Sequence, residues 1–142
     1  MPDLVETYRG AVYPWHCDHM GHMNVMWYVG KFDEATWRLF AHLGLTPSRL
    51  RDEARGMAAV EQHITYEREL HAGDVVSIAS AVVSLAEKSL RFRHVMTNDG
   101  TGGVAATSVI TGVHLDLGVR RACPLPADVR ARAEGATDPA TA

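Results

Sequence analysis

One stretch of this chain repeats its apolar residues with helical spacing, and nearly everything after it repeats them with strand spacing. From Val25 the apolar side runs Val25, Val29, Phe32, Thr36, Leu39, Leu43, in steps of four and three that keep to one face of a helix. Tyr28, Ala35 and Phe40 widen that stripe until it fits only a helix covered over most of its surface, with Lys31, Glu34 and Arg38 outside it. Asn24 is placed to cap the first turn with its side-chain oxygen, and Gly44 supplies the left-handed residue that ends the last one. Thr46-Pro47 then opens a second, short helix reaching about Ala54.

Strands account for the rest. VETYRGAVY (5 to 13) is rich in β-branched and aromatic residues and stops at Pro14. AAVEQHITYEREL (58 to 70) alternates, with Val60, Ile64, Tyr66 and Leu70 on one face and Glu61, His63, Thr65, Glu67 and Glu69 on the other. After the turn Ala72-Gly73-Asp74 come strands over 75–85, 88–97 and 104–117, the last two separated by the turn formers NDGTGG. PLPADVRARAE reads as a terminal helix and GATDPATA as a flexible tail. The expected organisation is one domain over residues 1–134 with a tail over 135–142, of the α+β class: a strand, a long central helix, and four antiparallel strands joined by tight turns into a sheet that wraps the helix.

A length of 142 residues with 46% hydrophobic and 22% charged residues fits one globular domain. The net charge of -3 offers no electrostatic case for nucleic acid or an anionic membrane. No apolar run approaches bilayer length and the N-terminus lacks a secretory pattern, so a cytoplasmic protein without a membrane partner is expected. Cys17 and Cys123 are too few for a disulfide framework.

The chemistry gathers just ahead of the helix, in HCDHMGHMN (16 to 24). Three readings compete there. A metal site has the right ligand types in His16, Cys17, Asp18, His19 and His22, but neighbouring side chains diverge and no recognised spacing completes a set, so none is expected. Cys17 as a nucleophile would need an oriented histidine; a half-buried small side chain is the plainer reading. Asp18 lies where the helix beginning at Val25 directs free N–H groups and partial positive charge, so a carboxylate and an oxyanion-binding helix end converge, as acyl transfer requires. A surface aspartate that merely solvates the loop explains the spacing as well. Gly21 lets another backbone come close; His22 either touches substrate or fixes the loop, with loop fixing favoured.

The run WHCDHMGHMNVMWYVGKFDEATWRLF, followed by GL and ITYERELHAGD, resembles the hotdog-fold thioesterases of the 4-hydroxybenzoyl-CoA thioesterase group over roughly residues 6 to 128. That resemblance implies a hotdog fold, hydrolysis of an acyl-CoA thioester, and a homodimer or homotetramer. It places Asp18 on the family's catalytic carboxylate, as nucleophile or general base, and Val25 on the position whose backbone N–H polarises the thioester carbonyl. Lys88 and Ser89 fall on a Lys-Ser near the CoA phosphates, while Glu61 and His63 would face a partner's pocket. This chain departs from family patterns at His16, where some members carry an acid, and at Ala86 and Glu87, where others carry arginines. No metal or organic cofactor is expected, since CoA is part of the substrate. Met20, Met23, Met26, Trp27 and Met57 would line an adaptable apolar acyl pocket. The competing functions are a hydratase or dehydratase on acyl-CoA or acyl carrier protein, and a non-catalytic acyl-CoA binding protein.

Overall fold

The structure, a computed structural model, describes residues 4–137. Strand β1 (Val5–Ala11) ends earlier than the sequence suggests, because Pro14 opens a turn of 3-10 helix, Pro14–His16, whose His16 ring accepts the Tyr13 N–H at 2.9 Å. Helix α1 (Val25–His42) has both expected ends: the Asn24 side chain accepts the Met26 N–H at 2.9 Å, and Gly44, at φ +95°, follows the C-cap Leu43. Helix α2 (Pro47–Asp52) is capped by Thr46. Then come β2 (Arg55–Tyr66), β3 (Val75–Leu85), β4 (Ser89–Asn98) and β5 (Val104–Asp116), followed by a two-residue β6 (Arg121–Ala122) and helix α3 (Ala127–Gly135).

The sheet order is β1-β3-β4-β5-β2, with β6 on β5. The expected run of hairpins therefore fails once. β2 pairs with β5, from Arg55 opposite Asp116 to Tyr66 opposite Ala106, so the turn at Gly73 ends a crossover and not a hairpin. That crossover passes under the loop ahead of α1, where the Leu70 carbonyl accepts the Met23 N–H at 2.7 Å and the Asp74 carbonyl accepts the Val12 N–H at 2.8 Å. One consequence is that β2 becomes an edge strand, its residues from Ala59 to Tyr66 exposed apart from the half-buried Ile64.

The antiparallel sheet curls around α1, which buries Tyr28, Phe32, Ala35, Thr36, Leu39 and Phe40. Phe32 and Ala35 pack with Val76, Ile78 and Met96; Leu39, Phe40 and Leu43 pack with Val82, Phe92 and Ile110 and with Val129 and Ala133 of α3. Where the halves meet, a polar chain crosses the core. Thr7 Oγ1 lies 2.7 Å from Ser80 Oγ, which lies 2.5 Å from His94 Nδ1, while His94 Nε2 is 2.8 Å from Thr36 Oγ1, and Thr36 donates to the Phe32 carbonyl. With Thr36 donating onward, Nε2 carries the proton and Nδ1 accepts from Ser80, so the ring is neutral and satisfied. Burial lowers its pKa to about 3.

Two parts of the helix face depart from the expectation. Val25 and Val29 are 56% and 39% exposed, whereas Lys31, placed outside the stripe by spacing, is only 3% exposed. The tail also begins later: Gly135 closes α3, Ala136 is buried with its carbonyl accepting the Val82 N–H, and Thr137 bridges to Val82; residues 138–142 of the expected tail lie outside the described residues. The whole is an α+β hotdog fold.

Candidate active site

The loop ahead of α1 is a closed turn. Gly21 donates to the Asp18 carbonyl at 3.0 Å and the Asp18 N–H donates to the His22 carbonyl at 3.2 Å, with Gly21 at φ +89°. Nothing lies within 4 Å of a Cβ built on Gly21, so the dihedral demands the glycine and crowding does not; this corrects the expected role in close backbone approach. The turn is fastened on both sides, by the Asn24 N–H on the His16 carbonyl and by Met23 on Leu70.

Asp18 is held at the mouth of α1 by the same residue that caps the helix. Asn24 Nδ2 donates to Asp18 Oδ2 at 2.8 Å while Asn24 Oδ1 accepts from Met26, and Asp18 Oδ1 accepts the Met20 N–H at 2.9 Å. The Asn24 bond, then the Met20 N–H, hold the carboxyl below its ordinary range, with His22 and His19 adding a smaller pull. Asp18 is thus an ionised carboxylate at neutral pH. The Val25 N–H, one residue past the Asn24 cap, has no hydrogen-bond partner among the described residues, so a donor at the positive end of α1 stands free. Val25, Tyr28, Tyr66 and Glu69 line a recess of about 240 Å³. Its inner wall is the edge-to-face pair of Tyr28 and Tyr66, 5.1 Å between centroids, with the Tyr28 hydroxyl donating to the Arg68 carbonyl.

His22 reaches Glu69, Nε2 to Oε1 3.5 Å, and sets its ring edge-on to His71, so it ties the loop to the crossover. Met26 is exposed on the first turn. The other ligand-type side chains point apart: His16 is buried with its ring against Trp27, and Cys17 is half-buried with its thiol 3.8 Å from the Tyr13 carbonyl. Among the described residues no group of three or more His, Cys, Asp and Glu side chains is arranged to hold a metal ion.

The remaining candidates lie elsewhere. Glu61 and His63 are exposed on β2, opposite Thr111 and Val109, and Lys88 and Ser89 stand at the β3–β4 turn, with Ser89 opposite Val113. Tyr66, at the recess, sits opposite Ala106, seven residues along β5 from Val113, or about 23 Å. A single chain does not bring the two groups together. Nor do the methionines gather: Met23 is core, Met20 and Met26 face out, and Met57 lines a separate apolar cavity of about 670 Å³ with Trp37, Leu50 and Leu117. Sequence reasoning saw Asn24 as a cap and missed its hold on Asp18; an asparagine six residues after the aspartate, across a glycine turn, is the signal that marks it.

The chain belongs to the thioesterase-like superfamily, whose family model matches residues 12–133. It is a thioester hydrolase. It is 28% identical over 134 residues to a betainyl-CoA thioesterase of Pseudomonas aeruginosa, covering 94% of this chain and 84% of that protein. Among solved structures it is similar to a Staphylococcus aureus protein in complex with CoA (TM-score 0.89, 22% identity, 97% of this chain and 88% of that one). It is also similar to a gentisyl-coenzyme A thioesterase (TM-score 0.79, 26% identity, 89% and 98%). No helix among the described residues is long and apolar enough to cross a membrane.

Proposed function

We propose that the chain hydrolyses acyl-CoA thioesters at the recess before α1. The observation that carries this reading is the double contact of Asn24, which holds an ionised Asp18 against the end of the helix that offers the Val25 N–H. With the thioester carbonyl oxygen on that N–H, the Asp18 carboxylate either attacks the carbonyl carbon or takes a proton from an attacking water. Negative charge collects on the oxygen, where the helix dipole stabilises it. The carbon–sulfur bond then breaks, CoA leaves as a thiolate that takes up a proton, and water supplies the hydroxyl of the free acid. The relative that acts on betainyl-CoA and the neighbour that holds CoA support the substrate class.

The distant candidates enter through a second copy. β2 offers an unpaired edge 12 residues long, and two such edges meeting across a two-fold axis run antiparallel. Each Tyr66 end then lies beside the other copy's Met57 end, bringing a second copy's Lys88 and Ser89 toward the recess and setting Glu61 and His63 near the axis. The same reversal brings the other copy's 670 Å³ cavity toward Asp18, which suits an acyl group with an apolar body. Thiol release should be followed over betainyl-, gentisyl-, acetyl- and medium-chain acyl-CoAs. Turnover of at least one, with a medium-chain substrate favoured over acetyl-CoA, is the expected result. Binding of every acyl-CoA without release of thiol from any would overturn the assignment in favour of a binding protein.

A further inference from the structure

On the flank of α1 away from β2, a recess of about 480 Å³ opens between the helix and β1. Its walls include Tyr13, Trp15 and Trp27, with the first two rings stacked at 4.6 Å and 3°. At its floor is Lys31, 3% exposed, whose ammonium donates to the Tyr8 hydroxyl at 2.7 Å and lies 5.0 Å from the centre of that ring. A buried ammonium normally faces a carboxylate, because desolvation of the charge is costly. Here the bonded partner is a neutral phenol. Glu34 lines the same recess one turn along, but no carboxylate comes within salt-bridge distance of Lys31 among the described residues.

The donors are left over in a definite way. Tyr8 accepts from Lys31, so its own O–H remains to donate, and the ammonium keeps two further N–H groups. Gly10 also lines the recess, and a Cβ there would collide with the Tyr8 hydroxyl, so the glycine leaves the phenol its place. The unneutralised charge is felt by the neighbouring His16, which burial first and Lys31 second hold below the ordinary histidine range, with Glu34 opposing.

We propose that this recess is a second ligand site, which takes a small organic carboxylate with a flat apolar body: the carboxylate on Lys31 Nζ and Tyr8 Oη, the body against the aromatic wall that Trp15, His16 and Trp27 form. A single ammonium and one hydroxyl match a monoanion, and aromatic walls favour a flat organic body over inorganic phosphate. Neither Asp18 nor Val25 lines this recess, and it shares no lining residue with the recess of Val25 and Tyr66.

The test is calorimetric titration of the full-length protein with benzoate, with benzamide as the neutral isostere and inorganic phosphate as the bare anion. Benzoate should bind at least about tenfold more tightly than benzamide, the value of a charge-assisted contact, and phosphate should not compete. Lys31→Met should lose benzoate by a similar factor; if that variant does not fold, Tyr8→Phe, which removes the hydroxyl, and Gly10→Ala, whose Cβ displaces the hydroxyl and the ring edge that carries it, should each weaken it severalfold. Asp18→Asn should bind benzoate as the wild type does. Absence of benzoate binding at millimolar concentration, equal affinity for benzamide, displacement by phosphate, or loss of binding in Asp18→Asn would each overturn the proposal. None of these results bears on thiol release.

Discussion

Asn24 does two things that a mutation can separate. Asn24→Ala removes the cap, costing roughly 1 kcal/mol of stability, and also frees Asp18 from its strongest hydrogen bond. Because that bond lowers the Asp18 pKa, its loss raises it, and a carboxylate needed in ionised form then sets an acid limb at higher pH. Asn24→Asp retains a capping oxygen but places a second carboxylate against the first, which raises the Asp18 pKa further. The profile of kcat/KM against pH should therefore shift upward in the order wild type, Ala, Asp, while thermal stability should fall for Ala more than for Asp. Cys17→Ala should keep near-normal turnover, since its thiol packs against the core and its one hydrogen bond among the described residues, to the Tyr13 carbonyl, is long; loss of turnover in a folded variant would restore the cysteine nucleophile. At this scale the sequence was legible where chemistry is local, as at the Asn24 cap, but its spacing does not single out Asp18, whose role the family resemblance implies, nor the turn at Gly21. It was not legible where a partner comes from afar, as with Lys31, drawn into the interior by a tyrosine 23 residues earlier.

Among the elements, α1 shows how far periodicity reaches. Its boundaries and most of its buried face follow from spacing, because both depend on residues within a few turns. Val25 and Val29 are misread because their side of the first turns is left partly uncovered in this chain, with Val25 lining the recess beside Tyr66 of the edge strand β2. The strands themselves were placed by alternation and turn formers, yet their order was not, since a β2–β5 pairing depends on contacts some fifty residues apart that leave no local mark. The polar chain through Thr7, Ser80, His94 and Thr36 ties β1, β3, β4 and α1 together and makes stability depend on acid. His94 titrates near 3 when folded and near 6.5 when unfolded, so below about 6.5 the unfolded chain binds the extra proton and the native state does not. Stability is then full above 6.5 and lost as pH falls toward 3, at up to about 1.4 kcal/mol per unit. Urea denaturation at pH 7 and 5 should show this loss, and His94→Gln, less stable at pH 7, should lose less between the two; an unchanged slope would remove His94 from the account.

For the whole molecule, the open edge of β2 and the separation of Asp18 from Lys88 lead to one expectation, that the working unit contains at least two copies. Val60, 63% exposed and left unpaired by the bulge between Ala59 and Glu61, lies on that edge. Val60→Lys should shift sedimentation from dimer or larger toward monomer, with turnover falling in step, whereas a fully active monomer would show that one chain suffices. The central claim, however, concerns charge at a single atom pair. Asp18→Asn keeps the size of the side chain and removes the ionised carboxylate that either form of the chemistry needs. The direct measurement is thiol release by this variant and by the wild type, on the best acyl-CoA of the panel, with binding of the same substrate measured alongside. The account predicts a fall in turnover of about two to four orders of magnitude with binding retained or tightened, and a variant that releases thiol at a near-normal rate would contradict it.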